Sequence, residues 1–452
     1  MRSFVHVSAW IISITLAAAA GAAEPAAPTG EALSLSQAEQ YALHRQPSIR
    51  QAQGQAEAAA GRVEEARAGY LPQLAANATY ERTTGNYAAR PGSLPTTVTA
   101  NGMTVTTTSS VSWDPAYNYW NFGVTGQQLI YDFNATADRW RSASASRDSA
   151  VSTARATETT ALFGVRRAYF QARAQRDLAR VAEEAVANQQ KHVDQIDALV
   201  KAGMRSQIDL VTTKTALANA RVQMVTAENN YAASLALLNQ AMGAPTERPY
   251  ELTDDQIPAV AGEDGDQRTL TDQALKARPE IAAADQARVA QERLVAAYRG
   301  TYGPSLSAIG GLSDVGSALD RLAPNWYVGL SASWAFFQGG LTTGQVREAN
   351  GTLTALTAAA DAARLQVEVD VEQARLAVRA AKSTIDGAEE SLTNAREQLR
   401  LAEGRYKTGQ GSVIELSDAQ VAYTTAEAQE VSARFGLAAS RAQLLAALGV
   451  RS

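Results

Sequence analysis

Residues 367–406 read VEVDVEQARLAVRAAKSTIDGAEESLTNAREQLRLAEGRY. Within them, positions 367, 371, 374, 378, 381, 385, 388, 392, 395, 399, 402 and 406 hold Val, Val, Ala, Val, Ala, Ile, Ala, Leu, Ala, Leu, Ala and Tyr. Twelve successive positions in 4-3 spacing are all apolar or aromatic. A period of about 3.5 residues, sustained this long, predicts left-handed coiled-coil packing. Alanine dominates the seam, so partner helices can approach closely. The charged residues between suit a face in water. The corresponding set from Ala161 to Val200 is apolar at ten of twelve positions, with Gln175 and Gln189 the exceptions.

That correspondence is part of an internal duplication. Ala42–Ile49 (ALHRQPSI) resembles Ala274–Ile281 (ALKARPEI), and Tyr70–Leu74 (YLPQL) resembles Tyr302–Leu306 (YGPSL), both at an offset of 232. From Gly123/Gly329 to Gly243/Gly449 the offset is 206 without a gap, and it aligns Lys201-Ala-Gly203 with Lys407-Thr-Gly409. The difference, 26 residues, is an insertion between about Ala75 and Trp120 in the first half. Only a surface loop tolerates that. Proline is absent from residues 116–244 and 325–452, which permits very long helices. The expected helices run from about Asn134 to Lys201 and Gly340 to Lys407, each roughly 100 Å long at 1.5 Å per residue. Each turns at a glycine and returns to Met242 or Leu448. Shorter helices open the halves, about Ser36 to Gly69 and Thr269 to Gly300. The domain reading is 1–23 signal peptide, 24–245 first repeat and 246–452 second repeat.

Strand patterns come in two pairs, at about 71–82 with 119–131 and 304–313 with 326–337. Trp326, Val328, Leu330, Ala332, Trp334 and Phe336 alternate with Tyr327, Gly329, Ser331 and Ser333. The length suits a tilted membrane strand with one lipid face and one wet face. Trp120, Phe122, Trp326, Trp334 and Phe336 are then membrane-interface aromatics. An open sheet edge is not viable in lipid, so further copies must complete the barrel, two giving 8 strands and three giving 12. Between the first pair, residues 82–119 are rich in Thr and Ser, and Asn101-Gly102 reads as a tight hairpin turn.

Composition narrows the function. The chain has 452 residues, no cysteine, three histidines and a net charge of −5. Cysteine-based metal sites and a thiol nucleophile are excluded, and a basic nucleic-acid surface is not indicated. No nucleophile motif, metal cluster or phosphate loop stands out, so no catalytic, cofactor-binding or metal residue is assigned. Arg2, the apolar Trp10–Ala20 and the small residues Ala20-Gly21-Ala22 form a secretory signal cut after Ala22 or Ala23.

These features together resemble the TolC-like outer membrane efflux proteins. The most specific parts are Leu129-Ile-Tyr-Asp-Phe133 and Ala335-Phe-Phe-Gln-Gly-Gly340 at the strand-to-helix junctions, with the turns Lys201–Leu210 and Arg405–Leu416. The resemblance implies a mainly α protein with a small membrane β part. It also implies a homotrimer sharing a 12-stranded barrel and a periplasmic α-barrel tunnel in the outer membrane. Its partners would be outer-membrane lipid, a periplasmic adaptor and an inner-membrane pump of RND or ABC type. The implied role is a passive exit duct for drugs, toxic small molecules or polypeptides.

The turns carry the site residues. Ser206-Gln-Ile-Asp209 and Ser412-Val-Ile-Glu415 read as capping boxes. Gly203 and Gly409 permit the turns, and with Lys201, Ser206, Lys407 and Ser412 they would face the adaptor. By resemblance, Asp209 and Tyr406 belong to a latch on a closed entrance, and Glu415 with Asp418 would form carboxylate rings favouring cations. The family's latch arginine falls on Gly411, so the implied latch lacks its cation, Arg405 being adjacent but not equivalent. The competing reading is a periplasmic coiled-coil adaptor without a barrel; the paired aromatic strands speak against it.

Overall fold

The structure, a computed structural model, describes residues 32–84, 96–100, 103–107, 116–245 and 250–450. The signal segment 1–23 and the Asn101-Gly102 turn lie outside these residues, and the repeat boundary at 245–246 borders the undescribed 246–249. The first half runs β1 (Ala32–Leu33), α1 (Leu35–Arg45), α2 (Pro47–Ala68), β2 (Gln73–Thr83), β3 (Thr96–Ala100), β4 (Met103–Thr107), β5 (Tyr117–Tyr131), α3 (Ala135–Lys201) and α4 (Gln207–Met242). The second runs β6 (Glu251–Leu252), α5 (Gln267–Ala277), α6 (Pro279–Gly300), β7 (Ser305–Gly316), β8 (Ala323–Ser333), α7 (Leu341–Lys407) and α8 (Val413–Ala447).

The frame is α3 and α7, 67 residues each. Neither contains proline, so the backbone ladder is unbroken for about 100 Å. All twelve positions of the quoted seam are buried or half-buried, and Val371, Ala374 and Val378 are fully so. Val367 to Val378 pack with Leu270, Ala274, Ile281, Leu444 and Ala447 in one apolar cluster. Nearer the turn, Val193, Ile196, Leu210 and Leu217 of the first hairpin meet Ala402, Tyr406, Leu416 and Ala419 of the second. In the first half's seam Gln189 is buried at 9 % exposure, the polar exception the pattern flagged.

Each shorter helix proves to be two. Helix α1 stops at Arg45 and α2 starts at Pro47; α5 stops at Ala277 and α6 starts at Pro279. Proline cannot donate to the previous turn and pushes its predecessor out of the helical region. Gln46 and Arg278 accordingly sit at ψ 120° and 123°. The breaks are joints where the return helices end. Gln46 Nε2 donates to the Ala241 carbonyl at 3.0 Å, so α4 and α2 stack end to end alongside α3.

The joints are tied at mid-height. Strands β1 and β6 pair in parallel, bringing the start of the first repeat to the linker. The buried Tyr169 hydroxyl lies 3.0 Å from the Leu33 and Thr253 carbonyls and 2.9 Å from Asp255 Oδ2. Burial raises its pKa to about 12. In the second repeat Glu263 meets Arg441 at 2.9 Å and Lys382 at 2.8 Å. Burial would raise this carboxyl, but bonds from Arg441, Lys382 and the Val260 N–H hold it at about 2.

A four-stranded antiparallel sheet in the order β2-β5-β7-β8 caps the helices. Strand β5 joins the repeats, pairing Thr125 with Gly311 and Gln127 with Ile309. Strand β8 is shorter than the alternation to 337 suggested. Its ladder stops at Ser333 because the partner begins at Ser305, which leaves Trp334 and Phe336 in the junction. Strand β7 runs on to Gly316. Inside the inserted loop β3 and β4 pair, Ala100 opposite Met103.

Candidate functional site

The two hairpin turns share one backbone solution. After α3, the Gly203 N–H donates to the Val200 carbonyl and Met204 to Leu199, both at 2.9 Å. After α7, Gly409 donates to Tyr406 at 3.1 Å and Gln410 to Arg405 at 2.9 Å. These are the paired bonds that end a helix through a left-handed residue. Gly203 and Gly409 hold φ of +72° and +81°, a region that other residues resist. Lys201 and Lys407 project beside them, Lys201 bonded to Asp197 at 2.6 Å and Lys407 near Glu403 at 3.8 Å.

The return helices are capped, but the capping boxes are incomplete. Ser206 Oγ accepts from the Ile208 N–H at 3.4 Å, and Ser412 Oγ from Glu415 at 3.1 Å. Neither acidic side chain returns a bond to its cap among the described residues. Glu415 instead faces Arg405 at 3.3 Å. The full reciprocal box forms elsewhere, at Ser34 and Gln37 of α1. Asp418, exposed, lies one turn beyond Glu415 on α8.

Tyr406 is the buried centre of the turns, 7 % exposed. Its hydroxyl is buried with no hydrogen-bond partner among the described residues, so it does not bond Asp209 as the implied latch would have it. Burial raises the Tyr406 pKa, Arg205 opposes this and nearby Asp209 adds to it. The residue that engages the tyrosine is Arg205, which the sequence reading passed over. Its guanidinium sits 4.5 Å from the ring centroid, and Nη2 donates to the Tyr406 carbonyl at 3.2 Å. The 206 offset could have found it: Arg205 is the repeat counterpart of Gly411.

Between the hairpins, just above the turns, lies a polar cleft of about 490 Å³ lined in part by Gln189, His192, Glu403, Lys407 and Gln420. Burial lowers the His192 pKa, Glu403 opposes it and Lys407 and Lys191 reinforce it. Among the described residues no group of three or more His, Asp or Glu is placed to hold a metal ion.

At the other end, the sheet exposes aromatic and aliphatic side chains. Trp120 packs on Tyr80 at 4.3 Å between ring centroids and stacks with Phe122 at 6.2 Å. Trp326, Val328 and Leu330 are at least 70 % exposed along β8, and Phe336 is 82 % exposed. Trp334 donates through Nε1 to the Tyr302 carbonyl at 3.0 Å, which orients it at the junction. Both outer strands, β2 and β8, keep one ladder edge unpaired among the described residues.

A profile of the outer membrane efflux protein family matches residues 39–244 and 270–450. The chain belongs to this family. Protein CyaE of Bordetella pertussis is 27 % identical over 432 residues, covering 94 % of this chain and 86 % of its own length. The outer membrane protein VceC of Vibrio cholerae superposes with a TM-score of 0.79 at 16 % identity, over 92 % of this chain and 96 % of VceC. The open state of the Neisseria gonorrhoeae MtrE outer membrane channel gives 0.74 at 21 %, over 92 % of this chain and 89 % of MtrE. This outer membrane efflux protein thus resides in the outer membrane, with its long helices forming a large periplasmic part. Its family and fold are those of channels rather than enzymes. No helix of the described residues is long and apolar enough to cross a membrane.

Proposed function

We propose that three copies close their four-stranded sheets into one 12-stranded barrel. It continues into a helical tunnel, the exit duct of a tripartite efflux or type I secretion system. The observation that carries this is the open sheet, apolar outside and unpaired at both edges, set on two 100 Å helices. In lipid those edges must be paired. Trp120, Phe122, Trp326, Trp334 and Phe336 then meet the membrane interfaces. The turns, with Lys201, Gly203, Ser206, Lys407, Gly409 and Ser412, dock a periplasmic adaptor that is joined to an inner-membrane pump. Asp209, Glu415 and Asp418 line the entrance beside Tyr406. The duct is passive, and the pump supplies the energy.

The duplication gives the seam its register. The β5–β7 ladder links first repeat to second, and the β8–β2 ladder between copies is its counterpart. Carrying the Thr125–Gly311 pair across by the two offsets sets Ser331 opposite the partner's Thr79. The protein has no cysteine, so S331C with T79C gives a clean test. Oxidation of purified protein should yield a ladder of linked species ending at three chains. S331C with A78C, whose side chain faces the other side of the sheet, should link poorly. A ladder ending elsewhere, or no preference between the pairs, overturns the seam.

A further inference from the structure

The helix pairs next to the sheet are equivalent in the two repeats and differently lined. Between α2 and α3 lies a groove of about 590 Å³, with Arg62 on one wall and Arg139 on the other. Ala59 and Ala143 line it between them, with Gln55 and Ser146 further from the sheet. Helix α2 runs towards the sheet and α3 away from it. Arg62 is about 9 Å from the sheet end of α2, and Arg139 about 6 Å from that of α3, so both stand at nearly one height. Both arginines are exposed, and neither has an ion-pair partner among the described residues. No carboxylate lines the groove, and Asp138, next to Arg139 in the chain, bonds Arg141 at 3.0 Å instead.

The second repeat closes the corresponding groove. The offsets of 232 and 206 place Leu294 and Gln345 where the arginines stand. Ala59 and Ala143 correspond to Gln291 and Ala349, and Gln291 Nε2 donates across to the Ala349 carbonyl at 2.9 Å. A side chain thus bridges α6 and α7, while α2 and α3 keep an open slot with two cations at its mouth. Trp140 sets the level of that mouth. It follows Arg139, meets Tyr70 edge-on at 6.4 Å and stays 38 % exposed. Tryptophan and tyrosine favour the membrane–water boundary, where lipid phosphates lie.

We infer that the α2–α3 groove binds one phosphate diester whose remaining headgroup is uncharged and hydroxylated. A diester carries one negative charge and two free oxygens, which the two guanidinium forks can share. Gln55 and Ser146 meet the hydroxyls below. An ammonium headgroup would find no carboxylate in the groove. The diester is either a lipid of the adjoining leaflet or a soluble ester, and the site is complete within one chain.

The test is native mass spectrometry of the purified protein in detergent, supplied with equal phosphatidylglycerol and phosphatidylethanolamine. Titration with soluble glycerophosphoglycerol runs beside it. The variants are R62Q/R139Q, which removes the cations, and A59Q, which copies Gln291 and fills the slot with both arginines kept. Q345A, in the second repeat's groove, is the control, and helical circular dichroism verifies folding of each. Wild type and Q345A should retain phosphatidylglycerol over phosphatidylethanolamine. R62Q/R139Q should weaken that retention by roughly ten- to a hundredfold, and A59Q should weaken it too. Arginine-dependent binding of the soluble ester with no lipid retained keeps the site and makes its ligand soluble. Equal retention of both lipids, binding unchanged in R62Q/R139Q, or no binding of lipid or ester by wild type overturns the site.

Discussion

The two strand-to-helix junctions occupy equivalent places and are built differently. In the first repeat Asp132 caps α3, its Oδ2 accepting from the Thr136 N–H at 2.8 Å. Phe133 and Asn134 follow in left-handed conformations, at φ of 52° and 64°. The Phe133 ring lies on Gly303, where a Cβ would come within 2.3 Å of it. The second repeat has Gly339-Gly340 in place of Phe133-Asn134, and nothing lies within 4 Å of where their side chains would be. The counterpart of Gly303 is Leu71, 51 % exposed. Large faces small inside the chain; outside it, a small residue awaits a large one. The comparison teaches that the first repeat's junction is satisfied by its own chain, whereas the second is left open, where the proposed seam would bring the Leu71 of the next copy.

The largest effect should come from breaking the internal junction. Gly300 lies under it, and an added Cβ would meet the Phe133 carbonyl oxygen at 2.7 Å and the Ala135 nitrogen at 3.0 Å. Both are backbone atoms, so G300V should cost about 3 kcal/mol or more and abolish assembled protein in the membrane fraction. Next comes the external junction. L71R should leave the helical circular dichroism of the chain intact but lower the dissociation temperature of the assembly, read on unheated gels. A drop in helical content equal to that of G300V would show that Leu71 serves its own chain instead.

Much of this was legible in the sequence, for physical reasons that differ from place to place. The 3.5-residue seam and the proline gaps fixed α3 and α7 to within a residue or two, because periodicity over 67 residues leaves one choice of face. The short helices were misread as single because Pro47 and Pro279 are compatible with a first helical turn. Whether a proline starts a helix or bends one depends on the neighbour it meets. At the turns, the family resemblance singled out Tyr406 and Asp209, but the bond it implied between them is not made, since the Tyr406 hydroxyl has no hydrogen-bond partner among the described residues. Capping boxes read from Ser-x-x-Asp and Ser-x-x-Glu failed because Arg405 competes for Glu415, a tertiary contact that no local pattern records. Arg205 was missed for the same reason.

The repeats also differ at mid-height, where a smaller effect is expected. The Glu263 carboxyl is held at about 2, below its ordinary 4.5. A depressed carboxyl contributes stability above its unfolded pKa and loses it as pH falls through the folded value. E263Q should therefore lower stability by about 2 kcal/mol at neutral pH and flatten the pH dependence between about 4.5 and 2, by thermal melts. The first repeat's counterpart tie, at Tyr169 and Asp255, should be untouched. Smallest in stability are D209A, E415A and D418A. These exposed or half-exposed side chains should leave the melt within about 0.5 kcal/mol while reducing cation preference in bilayer current–voltage curves. Unchanged selectivity would leave them as ordinary helix-start residues.

The distribution of burial along α7 gives the entrance a lever. Val367 to Val378 are clamped in an apolar cluster, and beyond them the seam thins to alanines and half-buried leucines until Tyr406. The arm from Val378 to Tyr406, packed at its tip in the smaller cluster with Val193, Ile196 and Leu210, is about 28 residues, or roughly 42 Å. A tilt of about 10° at the clamp would swing its tip by about 7 Å, so the tip cluster, not the mid-height one, takes up the movement. In the three-copy duct proposed above, such arms would convert a slight rocking at mid-height into an aperture at the turns.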